Sequence, residues 1–103
     1  MNNAASEIIS TKVGQPVEIE LKFPGASGYE WSVSFDGTCV SLLGRQRKLN
    51  SKKMGAKAKE VFKFEALAKG DHKISFALRR PWEDEAVEHR YIVLHVEESE
   101  PEK

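Results

Sequence analysis

The sequence predicts an all-β domain, an immunoglobulin-like β-sandwich of about seven strands. Three observations lead there. Apolar residues recur with period two along most of the chain, the signature of strands with one face turned to a core. Turn residues such as Pro24-Gly25, Asp36-Gly37, Gly70-Asp71 and Pro81 interrupt those runs at the short spacing of a sandwich. No stretch of useful length carries a helical period.

Taken in order, Ile8-Ile9-Ser10 reads as a short edge strand that closes near Val13-Gly14. Val17, Ile19, Leu21 and Phe23 alternate with Glu18, Glu20 and Lys22, a second strand with one wet face. Pro24-Gly25-Ala26-Ser27-Gly28 breaks it, because proline removes a donor and glycine admits positive φ. Tyr29 to Phe35 resumes β with Trp31, Val33 and Phe35 on one face. Trp31 stands where an immunoglobulin-like sandwich keeps a buried tryptophan and is assigned to the core. After the Asp36-Gly37 turn, Cys39 to Leu43 reads as the fourth strand. Gly44 to Lys57 then reads as a long basic connection, carrying Arg45, Arg47, Lys48, Lys52, Lys53 and Lys57 with little periodicity. A connection that long is either mobile or used for binding. Glu60 to Ala66 turns Phe62 and Phe64 inward, and Ala68-Lys69-Gly70-Asp71 is a hairpin turn. His72 to Leu78 turns in Ile74, Phe76 and Leu78, and Val87 to Glu97 turns in Ile92, Leu94 and Val96.

Length and composition bound the function. The 103 residues make a single domain (1–103), with 1–6 and 99–103 expected as polar tails. Sixteen basic and sixteen acidic residues cancel, so the chain lacks the basic field that nucleic acid or an anionic membrane surface favours. It has no apolar run of about 18 residues or more, the length of a membrane span. Met1 to Glu7 is polar and carries no signal-peptide pattern. The compartment stays open: cytoplasmic, or vesicular or lysosomal if a leader has been removed. Cys39 is the only cysteine, so no internal disulfide forms, and its apolar setting assigns it as a buried, inert thiol.

Catalytic patterns are missing. His72, His89 and His95 show no metal-ligand spacing with Cys39, and on one strand His89 and His95 stand ~20 Å apart at ~3.3 Å per residue. Ser27 between glycines is not a nucleophile elbow. Glu83, Asp84 and Glu85 read as a solvated charge run. The chain is read as a non-enzyme without metal or cofactor.

Three loops remain: Pro24 to Gly28, Gly44 to Lys57, and Arg80 to Ala86. They follow the second, fourth and sixth strands, and alternate connections of an antiparallel sandwich emerge at one end. Together they form a composite binding edge on a rigid support. In the third, Leu78-Arg79-Arg80-Pro81-Trp82 places a large aromatic at a loop tip, where it either anchors a protein–protein contact or folds back to cap the sandwich end.

With those loops in hand, the chain resembles the chagasin family of cysteine-protease inhibitors, from about Val13 to Val96. The family's first loop reads Asn-Pro-Thr-Thr-Gly, then an aromatic, one residue and Trp. Here Pro24-Gly25-Ala26-Ser27-Gly28 is followed by Tyr29-Glu30-Trp31, so the glycine–aromatic–x–tryptophan part matches and the preceding part differs. The second loop carries Gly-x-Gly-Gly in the family. Gly55-Ala56-Lys57-Ala58 keeps its first glycine. The third carries Arg-Pro-Trp, which Arg80-Pro81-Trp82 matches in full.

The resemblance implies a reversible, non-covalent protein inhibitor of papain-family (cathepsin-type) cysteine proteases, monomeric when free. Its protease-binding residues would be Gly25, Ala26, Ser27, Gly28 and Tyr29, then Gly55, Ala56 and Lys57, then Arg80, Pro81 and Trp82. The first loop would block the catalytic Cys–His pair, with Trp82 on the leaving-group side and Gly55 on the other. The changed first and second loops imply altered selectivity. The alternative is a non-inhibitory immunoglobulin-like module that binds another protein.

Overall fold

The period-two pattern is realised as seven strands: β1 (Ser6–Lys12), β2 (Pro16–Pro24), β3 (Glu30–Ser34), β4 (Val40–Leu49), β5 (Lys57–Ala66), β6 (Gly70–Arg79) and β7 (Glu88–Glu97). The computed structural model describes residues 6–24, 28–49 and 57–99. One sheet has the order β1-β7-β6-β3 and the other β2-β5-β4. β1 runs parallel to β7, and every other pair is antiparallel.

The alternating apolar residues of both sheets meet in one core. Ile19, Leu21, Phe23, Trp31, Phe62, Phe64, Ile74, Phe76, Leu78, Ile92, Leu94 and Val96 are all buried, as the periodicity predicts. Val17, Val33 and Phe35 pack against its margin, and Val40, Ala58 and Ala66 complete it. Phe76 is the centre. Its ring meets Phe62 at 5.1 Å, Phe64 at 6.3 Å and Trp31 at 6.4 Å between centroids, each edge-on. Edge-on aromatic pairs contribute about 0.5–1.5 kcal/mol each beyond area burial.

The stretch from Gly44 to Lys57 differs from its reading as one long connection. β4 runs on to Leu49 and β5 begins at Lys57, leaving 50–56 outside the described residues. The cause is a bulge. Leu42 opposes Phe64 and Gly44 opposes Lys63, so Leu43 is the extra residue of β4. Beyond it, the residues facing buried Phe62 and Glu60 are Arg45 and Arg47. Their guanidinium groups lie over the buried Phe62 and Phe23 rings. The strand continues; its apolar alternation does not.

Three smaller expectations also change. Cys39 lies in the turn before β4 rather than in the strand, half-buried against the core. Ser6, expected in a tail, pairs with Tyr91 as the first residue of β1. Ser99 is tied down, its hydroxyl donating to the Val13 carbonyl at 2.7 Å.

The registers place the three candidate loops together. Pro24 opposes Lys57, Leu49 opposes Ala58, Glu30 opposes Arg79 and Leu78 opposes Glu88. The β2–β3, β4–β5 and β6–β7 connections therefore leave the same end. The other end carries the β1–β2, β3–β4 and β5–β6 corners, with Cys39, His72 and His95.

Candidate functional site

The β6–β7 connection is built around a turn with a fixed shape. The Glu83 amide donates to the Arg80 carbonyl at 3.0 Å, closing Arg80-Pro81-Trp82-Glu83. Proline belongs at its second position because its φ is preset. Among the described residues only glycines have positive φ, so the third position, Trp82, fits a type I turn and not a type II. A second closure runs from the Val87 amide to the Leu78 carbonyl at 2.8 Å.

Arginine side chains hold the interior of this loop. Arg79 Nη1 donates to the Glu83 carbonyl at 2.7 Å and reaches the Pro81 carbonyl at 3.4 Å. Backbone acceptors that no strand partner serves are thus satisfied by a neighbouring side chain. Arg80 forks onto the Glu83 carboxylate, with Nε and Nη2 each 3.3 Å from an oxygen. The same guanidinium lies 4.7 Å above the Tyr29 ring and 5.8 Å from the Trp82 ring, both within cation–π range.

Trp82 itself is 71% exposed. It does not cap the sandwich end; a loop whose backbone and arginines are already satisfied presents it to solvent. Val87, at 61%, adds apolar surface on the same connection.

The β2–β3 connection meets this loop at its outgoing stem. Gly28 has φ +80°, a left-handed conformation that disfavours any side chain. A Cβ there would stand 3.1 Å from Trp82 Cη2, so the glycine also makes room for the indole. Tyr29 follows, half-buried against the core, with Arg80 over its ring. Of the residues the sequence singled out, Gly28, Tyr29, Arg80, Pro81 and Trp82 form one contiguous cluster. Gly25, Ala26, Ser27, Gly55 and Ala56 lie outside the described residues, and Lys57 is the first residue of β5.

Four contributors escaped the sequence reading. Arg79 and Glu83 flank the Arg-Pro-Trp motif and shape its turn. The other two are on β4. Arg47 lies with its Cζ 4.7 Å from the Phe23 ring centroid, and its Nη2 donates to the Tyr29 carbonyl at 3.3 Å. Arg45 donates to Glu60 Oε2 at 2.7 Å and to the Trp31 carbonyl at 2.8 Å, and covers the Phe62 ring at 4.8 Å. The available signal was two arginines at i and i+2, which share a strand face.

Comparison with known proteins follows the same boundaries. The family model described as "Chagasin family peptidase inhibitor I42" matches residues 10–96. A search of curated proteins gives no match. Among solved structures, the cysteine protease inhibitor EhICP2 from Entamoeba histolytica superposes with a TM-score of 0.72 at 18% identity, over 94% of this chain and 100% of that one. The solution structure of amebosin gives 0.69 at 26% identity, over 93% and 91%. PbICP-C, solved in complex with falcipain-2, gives 0.62 at 16% identity, over 96% and 93%.

Proposed function

The chain belongs to the chagasin family of peptidase inhibitors, and from that premise we propose that it is a reversible, non-covalent inhibitor of papain-family cysteine proteases that occludes the cleft with its three adjacent loops. One observation carries the site: the Arg80-Pro81-Trp82 turn is locked internally and holds an exposed tryptophan beside Gly28 and Tyr29. Two structural relatives support the target class. One is a cysteine protease inhibitor and the other is bound to falcipain-2.

In this scheme the first loop, Gly25 to Gly28, enters the cleft and blocks the catalytic Cys–His pair without offering a scissile bond in reactive geometry. Tyr29 supports its outgoing end. Trp82 packs on the leaving-group side, Pro81 fixes its direction, and Arg80 holds the tip together. Gly55, Ala56 and Lys57 pack along the other side. Loops already held by a sheet lose little freedom on docking, which is where such an inhibitor gains affinity. No bond to the enzyme forms, so inhibition is reversible.

The test is a titration against papain and a cathepsin L-type enzyme with a fluorogenic peptide. Tight inhibition, relieved by dilution with the inhibitor recovered uncut, is the expected result. A folded protein that slows neither enzyme would overturn the proposal and leave a non-inhibitory interaction module.

A further inference from the structure

The first loop raises a mechanical question. Gly25-Ala26-Ser27-Gly28 contains two glycines and no proline, and fixing a backbone residue costs about 1–2 kcal/mol. An inhibitor that enters a peptidase cleft must hold such a segment in shape, or it becomes a substrate. The β4 arginines bear on how this is done.

Arg47 touches both stems of the loop. Phe23, in the strand leading into it, is buried and lies under the guanidinium at 4.7 Å from Cζ. Tyr29, on the stem leading out, accepts a hydrogen bond on its carbonyl from Nη2 at 3.3 Å. One planar group thus spans from the incoming strand to the outgoing one. From the opposite flank Arg80 stacks on the Tyr29 ring at 4.7 Å. Tyr29 is therefore gripped twice, its main chain from β4 and its ring from the β6–β7 connection.

We infer that Arg47 is a positioning residue that sets the span between the stems of the first loop, and so keeps that loop uncut in the peptidase cleft. The inference rests on the inhibitor reading above. The chemistry calls for arginine in particular. A guanidinium presents an aromatic-stacking face and in-plane donors together, whereas a lysine ammonium is a point charge that cannot do both. The clamp adds little to global stability, because an exposed side-chain bond of this length to a neutral carbonyl is weak against solvent. Its effect is local, on how far the two stems wander.

The experiment compares wild type, Arg47→Ala and Arg47→Lys in three measurements. The first is thermal midpoint. The second is progress curves against papain, with mass spectrometry of the inhibitor at intervals. The third is amide exchange over residues 25–30 of the free protein. The expected result is midpoints within a few degrees of each other, while both variants associate about tenfold more slowly and release active papain over hours as fragments ending within residues 25–28 accumulate. Amide exchange of that segment rises in both. Wild-type inhibition with no cleavage in Arg47→Ala would overturn the inference, as would full rescue by lysine, or a loss of inhibition that merely tracks a lower midpoint. Failure of wild type to inhibit papain would sink the inhibitor reading instead. Amide exchange then still decides whether Arg47 holds the stems: unchanged exchange in the variants removes the clamp as well.

Discussion

Trp82 is the residue on which the binding reading turns. Its neighbours explain why a large apolar side chain can stay exposed: Arg79 serves the carbonyls of its loop, Arg80 binds Glu83, and Gly28 leaves room beside the ring. Trp82→Ala is expected to raise the inhibition constant by about 30-fold, about 2 kcal/mol, as for a hot-spot aromatic, with the thermal midpoint unmoved because no core contact is lost. An inhibition constant that stays put would take Trp82 out of the interface. Gly28→Ala tests the same contact from below. A Cβ 3.1 Å from the indole must displace it by a few tenths of an ångström, and φ +80° adds backbone strain of about 1 kcal/mol. The two effects share the ring, so they should not add. In the Trp82→Ala background, Gly28→Ala is expected to weaken inhibition less than it does alone, and a double-mutant cycle closing on zero would show that the ring does not transmit the change. The sequence could not choose between an exposed and a folded-back Trp82. That choice depends on Arg79 and Glu83, whose partners are backbone groups of a turn no periodicity describes.

At the scale of elements, the informative strand is β4. Where the apolar alternation runs uninterrupted, as in Ile74-Phe76-Leu78 and Ile92-Leu94-Val96, period two alone places the strand and its inward face. In β4 it fails after Leu42, because a bulge shifts the register and the next two core-side positions are arginines. The reason they are tolerated lies across the sheet. Glu60 is 3% exposed on the core side of β5, and Arg45 binds it at 2.7 Å. A glutamate followed by Val61-Phe62 carries no sequence mark of burial. Its Oε1 and the Trp31 Nε1 have no hydrogen-bond partner among the described residues, so the pair sits in incompletely satisfied surroundings. This predicts an asymmetry. Arg45→Met leaves the Glu60 carboxylate uncompensated and should cost about 3 kcal/mol in urea unfolding. Adding Glu60→Leu removes the stranded charge and should recover most of that loss. If the double variant is as unstable as the single one, the penalty comes from lost packing of the arginine stem and the ion-pair account is wrong.

Across the whole molecule the two ends of the sandwich hold different groups. The loop end holds Gly28, Tyr29, Arg47, Arg80 and Trp82. The far end holds the β1–β2, β3–β4 and β5–β6 corners, and there His95 meets Asp71. His95 Nδ1 stands 2.6 Å from Asp71 Oδ1, joining β7 to the start of β6. The hydrogen bond from Asp71 first, and its charge second, raise the imidazole above its ordinary value of 6.5. A group whose pKa is raised on folding stabilises the fold fully below its unfolded pKa, and that contribution disappears as pH rises through the folded value. Asp71→Asn should therefore lower the thermal midpoint relative to wild type near pH 5.5, while the two proteins converge by about pH 9. The inhibition constants should stay equal at every pH at which both are folded, since the pair is at the end away from the loops. Melting curves across that range, with a papain titration of each protein, check both halves. A midpoint difference that persists unchanged at pH 9 would mean that Asp71 acts through packing or its turn rather than through a charged imidazole. A shift in inhibition accompanying the stability change would mean that the two ends are coupled, and that the sandwich transmits strain along β6 and β7 to the loop that carries Trp82.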